Sequence, residues 1–268
     1  MYRSDSDSLQ AEFDGGCLNL TMSRPPGNYL DYAMLGAIVD LCDRAATDPN
    51  VRVVVLRGAG GTFSDGDDPN EMGAWPERFG SRAPGGSHGP APLPQQAALV
   101  ALRSVMKPTI ALLEGRALGL AMDLACVCDL RLGASDAVVG DTRIHEGRAA
   151  STGISYVLPR LIGQSQATRV LLLGEQLAMD ECERIGLVHE VIDSGNFEHQ
   201  ASARVANVAA LPTRAWEVHK KQVLPQLDLG FDAAMTHCLG VRQTHVIEDR
   251  AEGALARREK RKPVFKGR

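Results

Sequence analysis

The feature that most constrains the fold is an uninterrupted β-branched run at residues 51–56 (VRVVVL), which leads directly into the glycine-rich segment 58–61. Such runs are typical of a strand buried on both faces of a parallel sheet. A second apolar run, TIALL at 109–113, is also followed by a glycine. Apolar residues recur at helical spacing elsewhere, for example after Asp31. Strands that alternate with helices predict an α/β architecture.

The C-terminal part of the chain has a different pattern. Helical periodicity predicts helices over 196–210, 212–225, 231–248 and 251–260. We therefore predict two regions, an α/β core over 1–195 and a helical region over 196–268. Within the core, the Gly- and Pro-rich stretch 73–96 predicts a long loop, which is either a mobile flap beside a site or a disordered segment.

Composition excludes several classes of protein. The formal net charge of −4 gives no sign of a nucleic-acid surface. No apolar run of about 18 residues is present, so no membrane span is expected. The polar N-terminus lacks a signal peptide, and most of the six cysteines lie in apolar runs, which predicts reduced thiols in a cytoplasmic protein. Cys126 and Cys128 lack a second cysteine pair, so no metal site is predicted.

Two segments have the properties of a ligand site. In the first, FSDGDD at 63–68, glycine lets the backbone approach a ligand and leaves N–H groups free. In the second, a turn at 114–119 precedes a predicted helix over 120–128. The N–H of Leu120, in the first turn, has no intrahelical partner and lies at the positive end of the helix dipole, as an oxyanion site requires. Asp123 lies one turn further on, where it either faces the same ligand or only stabilises the helix N-terminus.

Five segments, in order, resemble the enoyl-CoA hydratase/isomerase (crotonase) superfamily over nearly the whole chain. RPPGN at 24–28 resembles the RPxxNA motif, and residues 51–58 resemble the strand before the first loop. FSDGDDPNEM at 63–72 is similar to FxAGxDLxxM, and GRALGLAMDLACVCD at 115–129 is similar to GxAxGGGxELAxxCD. The tail from 248 to 265 resembles the closing helix of the family.

The resemblance implies a crotonase-like spiral of ββα units with a helical C-terminal trimerisation region. It implies an acyl-CoA thioester as substrate, with coenzyme A as part of that substrate and no permanently bound cofactor, and assembly as a homotrimer or dimer of trimers. In this family two backbone N–H groups stabilise an enolate; by position they are the amides of Asp65 and Leu120. The positions that match the coenzyme A path are Pro26, Gly27, Ser64, Asp65, Asp67, Asp68, Gly119, Leu120, Arg143, Lys262 and Phe265.

The sequence departs from the family pattern at the acid/base positions. Asp65 replaces an alanine, and because a carboxylate would repel an enolate, we predict that this side chain points away from the thioester oxygen. The first of the family's two glutamates falls on Asp123. The second falls on Arg143, which stays protonated and cannot act as a base.

Several alternatives to the missing second glutamate remain open. Glu146, Asp141 or His145 could supply the missing group, and Arg143 could pair with Asp123 or bind an anionic part of the substrate. We predict an enoyl-CoA hydratase/isomerase-type lyase or isomerase, with Asp123 as the main acid/base and Glu146 as a second catalytic candidate. The alternatives are a divergent enolate enzyme (an isomerase, decarboxylase or C–C hydrolase) and a catalytically impaired acyl-CoA-binding protein.

Overall fold

The structure is a computed structural model that describes residues 2–72, 93–225 and 228–268. Most of the loop predicted at 73–96 therefore lies outside the described residues. Strands and helices alternate up to residue 192, and the described part of the chain beyond it is helical. The α/β prediction is confirmed.

A six-stranded sheet forms the centre of the fold. Its strand order is β1-β2-β3-β4-β6-β9, and all neighbours are parallel except the hairpin β1–β2. The strands are β1 (Leu9–Asp14), β2 (Cys17–Met22), β3 (Val53–Gly58), β4 (Thr109–Leu113), β6 (Leu130–Ala134) and β9 (Glu190–Ile192). As the valine-rich run predicted, β3 is buried and lies between β2 and β4.

A second sheet of three strands lies beside it, in the order β5-β7-β8. These are β5 (Arg116–Leu118), β7 (Val138–Gly140) and β8 (Gln176–Ala178). The chain passes from β4 to β5, back to β6, and again to β7, so the four strands from β4 to β7 belong alternately to the two sheets. This alternation produces the spiral course of the core and places the β4–β5 turn next to the loop after β3.

Eleven helices are described. They are α1 (Tyr32–Thr47), α2 (Pro69–Met72), α3 (Pro94–Ser104), α4 (Leu120–Val127), α5 (Ile154–Ile162), α6 (Gln164–Leu173), α7 (Met179–Arg184), α8 (Phe197–Ala209), α9 (Thr213–Val223), α10 (Phe231–Gln243) and α11 (Asp249–Glu259). Asp31 caps α1, since its Oδ1 accepts a hydrogen bond from the Met34 N–H at 2.7 Å. Helix α4 is buried along its whole length.

Helix α8 packs against the α/β core. Its residues Phe197, Ala201, Val205 and Ala209 are buried in the same hydrophobic core as the strands. The first helix of the region predicted from residue 196 is therefore part of the hydrophobic core. Helix α9 is attached through Lys220, whose Nζ lies 2.9 Å from Oδ2 of Asp129, the residue just before β6.

Helix α10 presents an apolar stripe to solvent. Phe231, Met235 and Leu239 are 79%, 58% and 58% exposed, and their i, i+4, i+8 spacing puts them on one face. None of the described helices is long and apolar enough to cross a membrane. Cys42, Cys126, Cys128 and Cys182 are buried thiols, and burial raises the pKa of Cys126 to about 12.

Candidate active site

The loop after β3 is held against the β4–β5 turn by backbone hydrogen bonds. The Ser64 N–H donates to the carbonyl oxygen of Arg116, and the Leu118 N–H donates back to that of Ser64. Gly66 has φ +97°, and a Cβ there would lie 2.8 Å from the carbonyl oxygen of Leu118 and 3.5 Å from the amide nitrogen of Leu120. Only glycine can bring this loop so close to the start of α4.

The amides of this loop show which N–H groups are available to a ligand. The prediction that Asp65 supplies one of the two donors is wrong, because its N–H donates to the carbonyl oxygen of Gly27 at 2.8 Å. The Gly66 N–H donates to Oγ of Ser64, and the Asp68 N–H to the carbonyl oxygen of Leu30. Within the described residues the N–H of Asp67 has no acceptor.

The N–H of Leu120 also lacks an acceptor within the described residues. Leu120 is the first residue of α4, where an N–H has no intrahelical partner, whereas the Gly119 N–H donates to the carbonyl oxygen of Gly140. Asp67 directly follows Gly66 in the chain, and a Cβ at Gly66 would lie 3.5 Å from the amide nitrogen of Leu120. The amides of Asp67 and Leu120 thus both lie next to Gly66 at the base of the loop.

Each acidic side chain of the loop has an arginine partner. Asp65 accepts two hydrogen bonds from Arg116, at 2.7 and 2.5 Å. Asp67 pairs with Arg148 at 2.9 Å, and the buried Asp68 pairs with Arg24 at 2.7 Å.

Some of the residues predicted to line a coenzyme A path lie close together at the entry segment. Gly27 lies against Asp65, since a Cβ on Gly27 would be 2.4 Å from Asp65 Oδ2. Pro26 directly precedes Gly27, and Ser64 is buried beneath the loop. These residues lie together at the carboxyl end of β3.

Arg143 joins Asp123 to Asp141 inside the protein. Its Nη1 and Nη2 donate to the two oxygens of Asp123, both at 2.9 Å, and its Nε and Nη2 donate to Asp141 at 2.8 Å. Asp123 is 0% and Arg143 4% exposed. The pairing of Arg143 with Asp123, one of the sequence alternatives, is the one that the structure forms.

Burial and the neighbouring charges shift the pKa values of Asp123 and Arg143 in opposite directions. Burial raises the pKa of Asp123 to about 6, although the Arg143 guanidinium opposes that rise. Burial by itself would lower the pKa of Arg143, but its hydrogen bonds to Asp141 and the charge of Asp123 raise it above the ordinary value. The Arg143 guanidinium, bound to both oxygens of Asp123, thus favours the ionised form of that carboxyl against the effect of burial.

Two neighbouring cavities open at this place, of about 360 and 240 Å³. They share three lining residues, Asp67, Arg143 and Arg148. The larger is also lined by Tyr32, Leu93, Gln95, Ala149, Ser151 and Thr152. The smaller is also lined by Tyr29, Asp65, Gly66, Pro69, Arg116, Leu118, Gly119, Thr142 and Glu146. Asp67 therefore borders a hollow large enough for a small acyl group, and Gly119, which directly precedes Leu120, lines the smaller cavity.

The other candidate bases lie further out. Glu146 lines the smaller cavity, but its carboxylate is half-exposed and pairs with Arg148. Nε2 of His145 lies 3.3 Å from the carbonyl oxygen of Gly174, at the end of α6.

Lys262 and Phe265 are not brought to this site by their own chain. The carbonyl oxygen of Phe265 accepts a hydrogen bond from Arg52, which precedes β3, whereas the loop follows the other end of that strand, about 20 Å away at 3.3 Å per residue.

Sequence reasoning missed Thr152 and Arg148. Thr152 Oγ1 donates to Asp123 Oδ2 at 2.6 Å, and Arg148 pairs with both Asp67 and Glu146. Both come from the segment between the 3-10 helix Arg143–Glu146 and α5, which has no regular structure. No periodicity or motif in the sequence places that segment against α4. Among the described residues there is no group of three or more metal-binding side chains.

Comparisons with known proteins identify the family of the chain. The family model for enoyl-CoA hydratase/isomerase matches residues 12–268. The "Probable enoyl-CoA hydratase EchA12" of Mycobacterium tuberculosis is 32% identical over 251 residues, which cover 92% of this chain and 88% of that protein. The 2,3-dehydroadipyl-CoA hydratase of Escherichia coli is 30% identical over 256 residues, covering 94% and 95%.

Solved structures agree as well. A crystal structure of enoyl-CoA hydratase subunit I from Geobacillus kaustophilus superposes with a TM-score of 0.85 at 28% identity, covering 99% of this chain and 100% of that one. The fold is thus that of the crotonase class of enzymes. The chain belongs to the enoyl-CoA hydratase/isomerase family.

Proposed function

We propose that this chain forms an enolate from a coenzyme A thioester, with the thioester oxygen held by the amides of Asp67 and Leu120. The observation that carries the proposal is that these two N–H groups lack acceptors in the described residues and flank Gly66, beside a cavity. Unpaired donors beside a cavity stabilise charge that develops there, and they need no reorganisation during the reaction. Coenzyme A enters as part of the substrate.

The proton chemistry rests on a single buried carboxylate. Asp123 is the acid/base, and Arg143 occupies the position where a second carboxylate would activate water. Movement of a double bond needs only one such group, because the proton removed from C2 can be returned at C4. Double-bond isomerisation is therefore the reaction that this site supports best.

Hydration is the second candidate, since both relatives named above are called hydratases. Ultraviolet absorbance separates the two reactions. A 3-enoyl-CoA becomes conjugated and gains absorbance under an isomerase, whereas crotonyl-CoA loses absorbance under a hydratase. We expect the gain with 3-hexenoyl-CoA. A loss with crotonyl-CoA and no gain with 3-hexenoyl-CoA would favour hydration instead, and binding without either change would leave an acyl-CoA-binding protein.

Replacing Gly66 by alanine tests the two-amide site. The added Cβ would lie 2.8 Å from the carbonyl oxygen of Leu118, so the loop must move away from α4 and the amides separate. We expect about a 100-fold loss of enolate stabilisation, the usual effect of one lost oxyanion donor. The measurement is the ultraviolet spectrum of bound acetoacetyl-CoA, whose enolate absorbs strongly.

Gly60→Ala is the matched control. Gly60 also has positive φ, at +70°, but a Cβ there meets nothing within 4 Å. Gly60→Ala also places an alanine at positive φ but without the contact, so the enolate spectrum should resemble that of the wild type. Equal loss in both variants would mean that strain, and not the approach of loop and helix, explains the Gly66 result.

We also propose that the chain assembles with itself through α10. The exposed stripe of Phe231, Met235 and Leu239 supports this proposal, because a contiguous apolar face on a helix favours a protein contact. The resemblance to the family points to a trimer or a dimer of trimers. Light scattering should then give three or six times the 28.7 kDa of one chain.

Leu239→Glu should shift this mass toward that of the monomer, since a buried carboxylate in an apolar contact is costly. Leu172→Glu is the matched control, because Leu172 is a similarly exposed leucine, on α6. Its mass should stay that of the wild type. A monomeric wild-type protein at micromolar concentration would contradict the assembly proposal.

A further inference from the structure

The carboxylate assigned as acid/base does not itself reach the cavity. Asp123 is 0% exposed and is absent from the lining of both cavities. Its Oδ1 accepts from Arg143 Nη2, and its Oδ2 accepts from Arg143 Nη1 and from Thr152 Oγ1. A substrate carbon in the cavity would meet other groups before it met this carboxylate.

Thr152 connects Asp123 with the cavity. Its Oγ1 lies 2.6 Å from Asp123 Oδ2, a short hydrogen bond of the kind that a hydroxyl makes to an ionised carboxylate. The same residue lines the 360 Å³ cavity, which shares Asp67 with the cavity beside the unpaired amides. A hydroxyl donates one proton and accepts others, so it can pass a proton from the cavity to the carboxylate.

We infer that Thr152 is the group that exchanges a proton with the substrate, and that Asp123 acts through it. This inference rests on the proposed function. In the step, the C2–H bond of the acyl-CoA breaks and its proton goes to Thr152 Oγ1, while the hydroxyl proton moves to Asp123 Oδ2. The electron pair of the C2–H bond becomes the enolate, whose oxygen the two amides hold. The reverse transfer returns the proton at C2 or C4, so protons and charge balance.

Arg143 has a separate part in this arrangement. Its guanidinium holds both oxygens of Asp123 in one orientation, with Oδ2 directed at Thr152. It also donates to Asp141, which fixes the guanidinium from the other side. Ser151 also lines the larger cavity, but no hydrogen bond from its hydroxyl to a carboxylate is found in the described residues. The relay is therefore specific to Thr152.

The experiment measures deuterium incorporation at C2 of butyryl-CoA in D2O by mass spectrometry. Thr152→Val keeps the size of the side chain and removes the hydroxyl, and it should slow exchange about 100-fold, the usual size of an acid/base contribution. Thr152→Ser keeps the hydroxyl and should recover most of the rate. Ser151→Ala removes a hydroxyl from the same cavity wall and should cost much less than Thr152→Val. Thr152→Ala, which only removes atoms, replaces the valine variant if that variant does not fold.

A double-mutant comparison separates a relay from a structural role. Groups in series are non-additive, so Thr152→Val should cause no further loss in an Asp123→Asn background. Exchange that falls in Asp123→Asn but is unchanged in Thr152→Val would overturn the relay and leave the proposed function standing. Independent, additive losses would also overturn it. No exchange by the wild-type protein would overturn the proposed function, and the relay with it.

Discussion

Replacing Arg143 by methionine should lower the free energy of unfolding by about 3 to 5 kcal/mol at neutral pH, the usual cost of removing one partner from a buried ion pair. Arg143 donates to both Asp123 and Asp141, and all three side chains are buried. Without the guanidinium, two carboxylates would remain in a site of low polarity with no cation. Equilibrium unfolding in urea, at one fixed protein concentration, measures the loss.

Arg148→Met is the control. Arg148 also binds two carboxylates, those of Asp67 and Glu146, but it is about one third exposed, so its loss should cost less than about 1 kcal/mol. Equal costs for the two variants would mean that the Arg143 cluster is not the buried network described here.

The cost of Arg143→Met should depend on pH. Burial already raises the pKa of Asp123 to about 6, and removal of the cation that opposes this would raise it further. The native state then binds more protons than the unfolded state, so stability declines as pH rises through the native pKa. The variant should therefore lie closest to the wild type near pH 4 to 5 and furthest from it near pH 8. Destabilisation that grows on acidification would contradict this account.

Replacing Asp123 by asparagine should reduce turnover of an acyl-CoA substrate by about 10²- to 10⁴-fold, with much less effect on substrate binding. An amide cannot accept the proton that the enolate step releases. The fold should tolerate the change, because Arg143 keeps Asp141 as its partner and the cluster becomes neutral. Steady-state kinetics with 3-hexenoyl-CoA separate kcat from KM, and thermal unfolding checks the fold.

Glu146→Gln tests the competing assignment. Glu146 lines the smaller cavity and is the other carboxylate that the sequence offers as an acid/base. If Glu146→Gln loses more turnover than Asp123→Asn, the acid/base is Glu146 and the buried cluster is structural. We expect the reverse order.

Much of the fold could be predicted from local pattern. The valine-rich run became β3, and Asp31 became the N-cap of α1. The four C-terminal helices lie at 197–209, 213–223, 231–243 and 249–259, close to their predicted bounds. Strand β1 was missed because only Leu9 of its six residues is buried, so its side chains carry little hydrophobic alternation. Strand β1 is recognised only from its antiparallel pairing with β2 in the structure.

The site could be predicted only in part, because its details depend on contacts between distant segments. Motif position pointed to Asp65 as an amide donor, yet its N–H is bonded to Gly27 and the unpaired N–H belongs to Asp67. Arg143 was correctly seen as the departure from the family pattern. That it binds Asp123 and Asp141 together, with Thr152 on the same carboxylate, follows from the packing of the segment 141–152 against α4, which no local pattern encodes.

The central claim is that the chain forms an enolate from a bound acyl-CoA. Its most direct test is deuterium incorporation at C2 of butyryl-CoA, because the label enters only if the C2–H bond is broken and remade, whatever the later reaction. We predict incorporation by the wild-type protein at a rate well above that of the Asp123→Asn variant. Butyryl-CoA that binds to the wild-type protein and acquires no label would contradict the account.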